Sequence, residues 1–138
     1  MWWIYAALSA VFASLTAIFA KLGVATINSN LATAIRSIVI LIMIWSIVLL
    51  NGQAKELRVI SKQGVFFLII SGIATGLSWL FYFKALQLGE VSKVAVIDKL
   101  SVALTILLAI IFLKEHVTIK TLIGAALIIA GTFVIALK

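Results

Sequence analysis

Five apolar stretches, each long enough to cross a lipid bilayer, account for most of this chain. They cover residues 2–20, 31–50, 64–83, 92–113 and 117–137. A membrane helix needs about 20 apolar residues to cross a hydrocarbon core of about 30 Å. The stretches lack the alternation of barrel strands, so each is expected to be a helix. The sequence therefore predicts an all-α, multi-pass protein of the inner (plasma) membrane, with five transmembrane helices in a single domain over residues 1–138.

Composition excludes several classes of function. The chain is 65% hydrophobic with a mean hydropathy of +1.34, so almost no sequence remains for a soluble domain. It has no cysteine and one histidine, and no two carboxylates fall at one depth. We therefore expect no enzyme, no metal and no cofactor. The net charge of +7 is attributed to lysines that face lipid phosphates, and no nucleic-acid partner is expected.

Three charged residues are forced below the membrane surface by the lengths of their helices. The apolar run that follows Lys99 covers only about 21 Å, so its span must begin near Ser92 or Lys93. Asp98 and Lys99 are then inside the bilayer, and the same reasoning places Arg36 there. A charge at the centre of a membrane helix costs about 2.5–3.5 kcal/mol and suggests a functional role.

Arg36 and Asp98 are expected to form an ion pair. Arg36 lies about six residues into the second helix and Asp98 about seven into the fourth, and both helices start from the same membrane face. The pair is either a static clamp between helices or one that exchanges partners with a substrate or a proton, and a third alternative is that the two residues never meet. Lys99 projects about 100° around the helix from Asp98 and can extend to the headgroups.

Weakly polar, aromatic faces occur on three of the predicted helices. They line a cavity or form hydrogen bonds between helices, and the sequence leaves both alternatives open. Trp79 lies beside one of these faces, and it and Tyr82 point toward the same membrane side as Arg36. Since the chain has no proline, any helix break is expected at a glycine. The faces comprise Tyr5, Ser9, Phe12, Thr16 and Phe19; Ser71, Thr75, Ser78 and Tyr82; and Asp98, Ser101 and Thr105.

Spaced glycines predict close helix packing. Gly72 and Gly76 form a GxxxG pair in the third helix. Gly124 and Gly131 lie seven residues apart, and therefore on one face of the last helix. Whether the partner helix belongs to the same chain or to a second one is left open.

Basic residues are almost evenly divided between the two membrane faces. Either the three basic residues of the second connector weakly favour one orientation, or the chain inserts both ways and pairs antiparallel. One face carries Lys55, Arg58, Lys62, Lys114 and Lys120, and the opposite face carries Lys21, Lys84, Lys93 and Lys138.

Two stretches of the chain carry a resemblance to a known family. One is residues 74–117, where "YFKAL" at 82–86 ends the third helix and the fourth helix closes on Leu113, Lys114 and Glu115. The other is "TIKTLIGAALIIAGTFVIAL" at 118–137. The chain resembles a single EamA-type unit of the drug/metabolite transporter superfamily. The resemblance implies half of a ten-helix inverted-repeat transporter, completed by homodimerisation, that carries a small-molecule substrate across the bilayer by alternating access.

The excess positive charge near the expected cavity favours an anionic or zwitterionic metabolite, such as an amino acid. Arg36 would bind its anionic group, Asp98 would hold Arg36 or an amine, and Lys99 would tune the local field. The wall would come from Trp79, Tyr82 and Ser78. Two alternatives remain: a cation exporter resembling the small multidrug resistance proteins, and a non-transporting membrane subunit that pairs with a paralogue. The first alternative is weakened because the first helix carries no carboxylate.

Overall fold

The computed structural model describes residues 1–136, in which helices form five membrane-length spans and no strand occurs. The helices are α1 (Trp2–Gly23), α2 (Ser29–Leu50), α3 (Lys62–Leu88), α4 (Val91–Asp98), α5 (Leu100–Leu113) and α6 (Ile119–Ala136), with a 3₁₀ helix at Gln53–Val59 after α2. Because α4 and α5 together make one span, Val91–Leu113, the prediction of five transmembrane helices is confirmed. The predicted end of the last span, at residue 137, and Lys138 lie outside the described residues.

The third helix is longer than predicted. It ends at Leu88 rather than at residue 83, so Lys84 belongs to the helix and not to a connector. Lys84 is exposed on the helix surface, while Gln87 donates hydrogen bonds from Nε2 to the carbonyls of Val24, at 3.4 Å, and Ile27, at 3.2 Å. The two polar side chains therefore find partners or solvent without ending the helix.

The chain forms two compact units, the first of which is Met1–Leu88. In this unit α3 packs against both α1 and α2. Small side chains, Ala17 and Ala20 on α1 and Ala32 on α2, are buried, which allows helices to approach closely without the hydrophobic driving force available in water. Asn28 caps α2, because its Oδ1 accepts a hydrogen bond from the Asn30 amide at 2.8 Å.

The second unit begins at Gly89 and contains α4, α5 and α6. Both α4 and α5 pack against α6. Thr132 of α6 is buried, and its hydroxyl donates to the carbonyl of Ile128 at 2.8 Å, with the carbonyl of Val96 on α4 at 3.4 Å. A threonine thus joins α6 to α4 just before α4 ends.

The fourth span is broken at Lys99, and the expectation that breaks occur only at glycine is wrong. Lys99 has φ −69° and ψ −10°, a right-handed conformation open to any residue. Its amide donates to Val96 and its carbonyl accepts from Val102, both at 3.0 Å, so the chain makes a 3₁₀-type turn between α4 and α5. A shift in ψ alone is enough to interrupt the α-helical hydrogen bonding.

Candidate functional site

The first unit contains an open cavity of about 570 Å³. It lies toward the end of the unit where α1 ends, α2 begins and α3 ends. Its volume is within the range of about 300–1,000 Å³ that small-molecule sites have in proteins. Most of its wall is apolar, and Arg36 is the charged side chain in it. The lining consists of Phe12, Leu15, Thr16, Phe19, Ala20, Gly23, Ile27, Ala32, Ile35, Arg36 and Phe83.

The guanidinium of Arg36 is held against two aromatic rings of α3. Its Cζ lies 4.1 Å from the centroid of the Trp79 ring and 5.4 Å from that of Phe83. These two residues are four positions apart, so their side chains share one face of the helix. Phe83 is only 3% exposed, which makes it a fixed support. A cation over an aromatic ring is stabilised by about 0.5–2 kcal/mol without losing its charge.

No carboxylate within the membrane part of the first unit neutralises Arg36. Residues 1–88 contain one acidic residue, Glu56. Glu56 lies in the 3₁₀ helix beyond the far end of α2, and the helix from Arg36 to Leu50 alone covers about 21 Å. Within the described part of this unit, nothing accepts a hydrogen bond from the Arg36 guanidinium either. Arg36 therefore keeps its positive charge and its donors at the cavity wall.

Hydrogen bonds tie the end of α1 to the end of α3 next to the cavity. Lys21 Nζ donates to the carbonyl of Leu86 at 2.6 Å, and Gln87 donates to the Val24 and Ile27 carbonyls. Val24 and Leu86 are fully buried between these contacts. The last carbonyls of a helix have no partner within it, so a lysine from a neighbouring helix is well placed there. These contacts hold the end of α1 against the end of α3.

In the second unit, Asp98 and Lys99 lie at the break between α4 and α5. Lys99 Nζ is 3.6 Å from Asp98 Oδ2, and the Asp98 side chain is half-buried while that of Lys99 is more exposed. Asp98 thus has a positive neighbour in its own unit. The Arg36–Asp98 pair joins residues of different units and stays a prediction.

The structure brings together only part of the site predicted from sequence. Trp79 lies against Arg36. Ser78 and Tyr82 belong to α3 but do not line the cavity. From the predicted face of α1, the cavity wall contains Phe12, Thr16 and Phe19 but not Tyr5 or Ser9.

Sequence reasoning missed Phe83, Leu15 and Ile35. The pattern that pointed to Phe83 was its spacing of four residues from Trp79, which repeats an aromatic side chain on one helix face. No sequence pattern distinguishes Leu15 and Ile35, because aliphatic residues occur throughout the membrane helices.

The four glycines are not packed against a neighbouring helix of their own unit. A Cβ built at Gly72, Gly76, Gly124 or Gly131 would meet no heavy atom of that unit within 4 Å. Their predicted role in close helix packing is therefore not met inside either unit.

Comparison with known proteins identifies the family. The sequence model of the EamA-like transporter family matches residues 1–137. The chain belongs to this family. It is 46% identical over 135 residues to an uncharacterized transporter in the cobO 3' region of a Sinorhizobium species, a match that covers 98% of this chain and 96% of that relative.

A second relative is more distant. It is the uncharacterized protein MJ1333.1 of Methanocaldococcus jannaschii, 30% identical over 84 residues, or 61% of each chain. No solved structure matches the chain. The family and the five membrane spans make this EamA-family protein a multi-pass membrane transporter, as the resemblance implied.

Proposed function

We propose that this EamA-family chain transports a small anionic or zwitterionic metabolite, such as an amino acid, and that Arg36 binds the anionic group of the substrate. The observation that carries the proposal is the charge of Arg36 at the wall of a ligand-sized cavity, in a unit without a membrane-embedded carboxylate. A cation inside the bilayer without a counter-ion in its own unit is costly, so an anionic ligand gains from meeting it. The aromatic support of Trp79 and Phe83 fixes where that charge stands.

The same observation weighs against export of bulky cations. A cationic substrate would meet the positive charge of Arg36 in this cavity, and the one acidic residue of the first unit lies outside its membrane spans and cannot offset that charge. Asp98, the carboxylate within the fourth span, has the ammonium group of Lys99 3.6 Å from its Oδ2.

We further propose that two copies pair antiparallel and transport by alternating access. The relative at 46% identity is matched over 96% of its length, so it too has the size of one five-helix unit. An inverted pair of such units reproduces the arrangement in which transporter sites lie near the midplane between repeats. The near balance of basic residues on the two membrane faces permits both orientations.

The substrate class is tested by thermal unfolding of the purified protein with a panel of metabolites. A ligand that binds only the folded state stabilises it by RT ln(1 + [L]/Kd), about 2.7 kcal/mol at a hundredfold excess over Kd. We expect stabilisation by anionic or zwitterionic compounds and none by quaternary ammonium compounds. Stabilisation by the cations alone would contradict the proposal.

The role of Arg36 is tested by flux into proteoliposomes with the compound so identified. Arg36→Ala is expected to abolish uptake, Arg36→Lys to retain part of it, and Asp98→Ala to lower it. Lys84→Ala is the matched control, because it removes one exposed positive charge from α3 without touching the cavity wall. Wild-type flux in Arg36→Ala would remove the proposed site. A tag at each terminus, probed from both sides of the membrane, tests the antiparallel pair, which requires a mixed population.

A further inference from the structure

We infer that the cavity of the first unit selects a molecule with one carboxylate on an apolar, preferably aromatic, body and with no ammonium group. The inference rests on the proposed function and narrows it, because it excludes zwitterionic amino acids as the preferred ligands. It follows from what the cavity wall offers each part of a ligand.

An ammonium group would find no negative charge in the wall of this cavity, and the charged side chain there is a cation. The ammonium group carries three donors and needs several acceptors when it leaves water. The polar side chains in the wall are Arg36, which repels it, and Thr16, which offers one hydroxyl. A zwitterion would therefore bury its positive end without a counter-charge from this unit.

A carboxylate, by contrast, matches what Arg36 presents. The guanidinium has five donors in a fixed planar fork and binds a carboxylate through two parallel hydrogen bonds. The contacts with Trp79 and Phe83 position the group without using these donors. Since Arg36 is the charged side chain of the wall, it serves one anionic group, and a dianion would leave its second charge unpaired.

The rest of the ligand meets apolar and aromatic side chains. Phe12 and Phe19, about two helical turns apart on α1, line the cavity together with Phe83 of α3. Aromatic pairs gain about 0.5–1.5 kcal/mol beyond simple burial, so a ring suits this wall better than a polar body. The volume of about 570 Å³ is ample for a molecule of one ring and a short acid chain.

The test compares three ligands that share a phenyl ring and a two-carbon chain: 3-phenylpropionate (an anion), free phenylalanine (a zwitterion) and 2-phenylethylamine (a cation). The centroid of the Trp79 ring lies 4.1 Å from Cζ of Arg36, so the fluorescence of Trp79 reports binding at Arg36. The other tryptophans, Trp2, Trp3 and Trp45, are exposed and are replaced by Phe so that Trp79 alone emits. Titrations are made in phosphatidylcholine nanodiscs, and the melting temperature of each variant confirms that it is folded.

We expect 3-phenylpropionate to bind at least tenfold more tightly than phenylalanine, and 2-phenylethylamine to give no saturable response. Arg36→Gln should remove the response, Arg36→Lys should weaken it, and Lys84→Gln should leave it unchanged. If phenylalanine binds as tightly as 3-phenylpropionate, this inference is wrong while the proposed function stands. Tighter binding of the amine would overturn both, and no saturable response to 3-phenylpropionate would overturn the inference.

The same anionic chemistry occurs in the lipid headgroups around the protein. The titration is therefore repeated in nanodiscs that contain phosphatidylglycerol. We expect the affinity for 3-phenylpropionate to stay within threefold of its value in phosphatidylcholine. If phosphatidylglycerol itself changes the Trp79 emission in an Arg36-dependent way and blocks the acid, the cavity holds an anionic lipid and the inference fails.

Discussion

Replacement of Lys21 by methionine should strongly destabilise the first unit. The Lys21 ammonium donates at 2.6 Å to the carbonyl of Leu86, which belongs to the last turn of α3 and has no partner within that helix. A hydrogen bond to a charged group contributes about 1.5–3 kcal/mol. Leu86 is 0% exposed, so water cannot easily replace the lost donor. The change should therefore shift the unfolding equilibrium by about 10- to 150-fold.

Unfolding of the purified protein in detergent micelles, followed by circular dichroism, measures this loss. Methionine keeps most of the length of the lysine side chain and removes only its charged head. Lys84→Met is the matched control, since it removes a charge that is exposed near the same end of α3. We expect a change within about 0.5 kcal/mol for the control. Equal stability of the Lys21→Met variant and the wild type, or equal losses in the two variants, would refute the reasoning.

Three further predictions concern substitutions of single residues. Trp79→Leu removes an aromatic support of Arg36 and should weaken binding of an anionic ligand by about 2- to 30-fold in calorimetric titrations, whereas the exposed Trp45→Leu should not. Gly131→Leu meets open space within its own unit, so it should leave the helix content unchanged but reduce cross-linking between copies if α6 is the pairing surface. Lys114, at φ 53°, holds a left-handed conformation, so Lys114→Gly should stabilise the protein by about 1 kcal/mol in thermal unfolding.

The number of spans and their approximate positions were predictable because the bilayer sets the minimum length of a span. A run of apolar residues that must cross about 30 Å leaves little choice of where a span lies, and five spans follow from five runs. The end of α3 was missed for a definite reason. Lys84 and Gln87 look like the start of a polar connector, but Gln87 is satisfied by carbonyls of Val24 and Ile27. Such long-range partners, about 60 residues away in sequence, are invisible in a local pattern.

The surroundings of Arg36 could be predicted only in part. Charge counting selects a carboxylate as the partner of a buried arginine, and this pointed to Asp98. Within the first unit, the structure places aromatic rings of α3 against the guanidinium, and the pair with Asp98 stays a prediction. Trp79 was expected on that side, while Phe83 was not recognised. Hydropathy scales treat an aromatic residue as apolar and do not include the attraction between its ring and a cation.

The break at Lys99 shows why the two intramembrane charges of the second unit belong together. A 3₁₀ turn interrupts the fourth span at the point where Asp98 and Lys99 follow one another, and their charged groups come within 3.6 Å. Interrupted backbone inside a membrane is tolerated where protein or water satisfies it, and Thr132 of α6 contacts the Val96 carbonyl there. Asp98 therefore has a cationic neighbour in its own unit. The guanidinium of Arg36 has no carboxylate within the membrane spans of its own unit, and this is the property that a site for carboxylates requires.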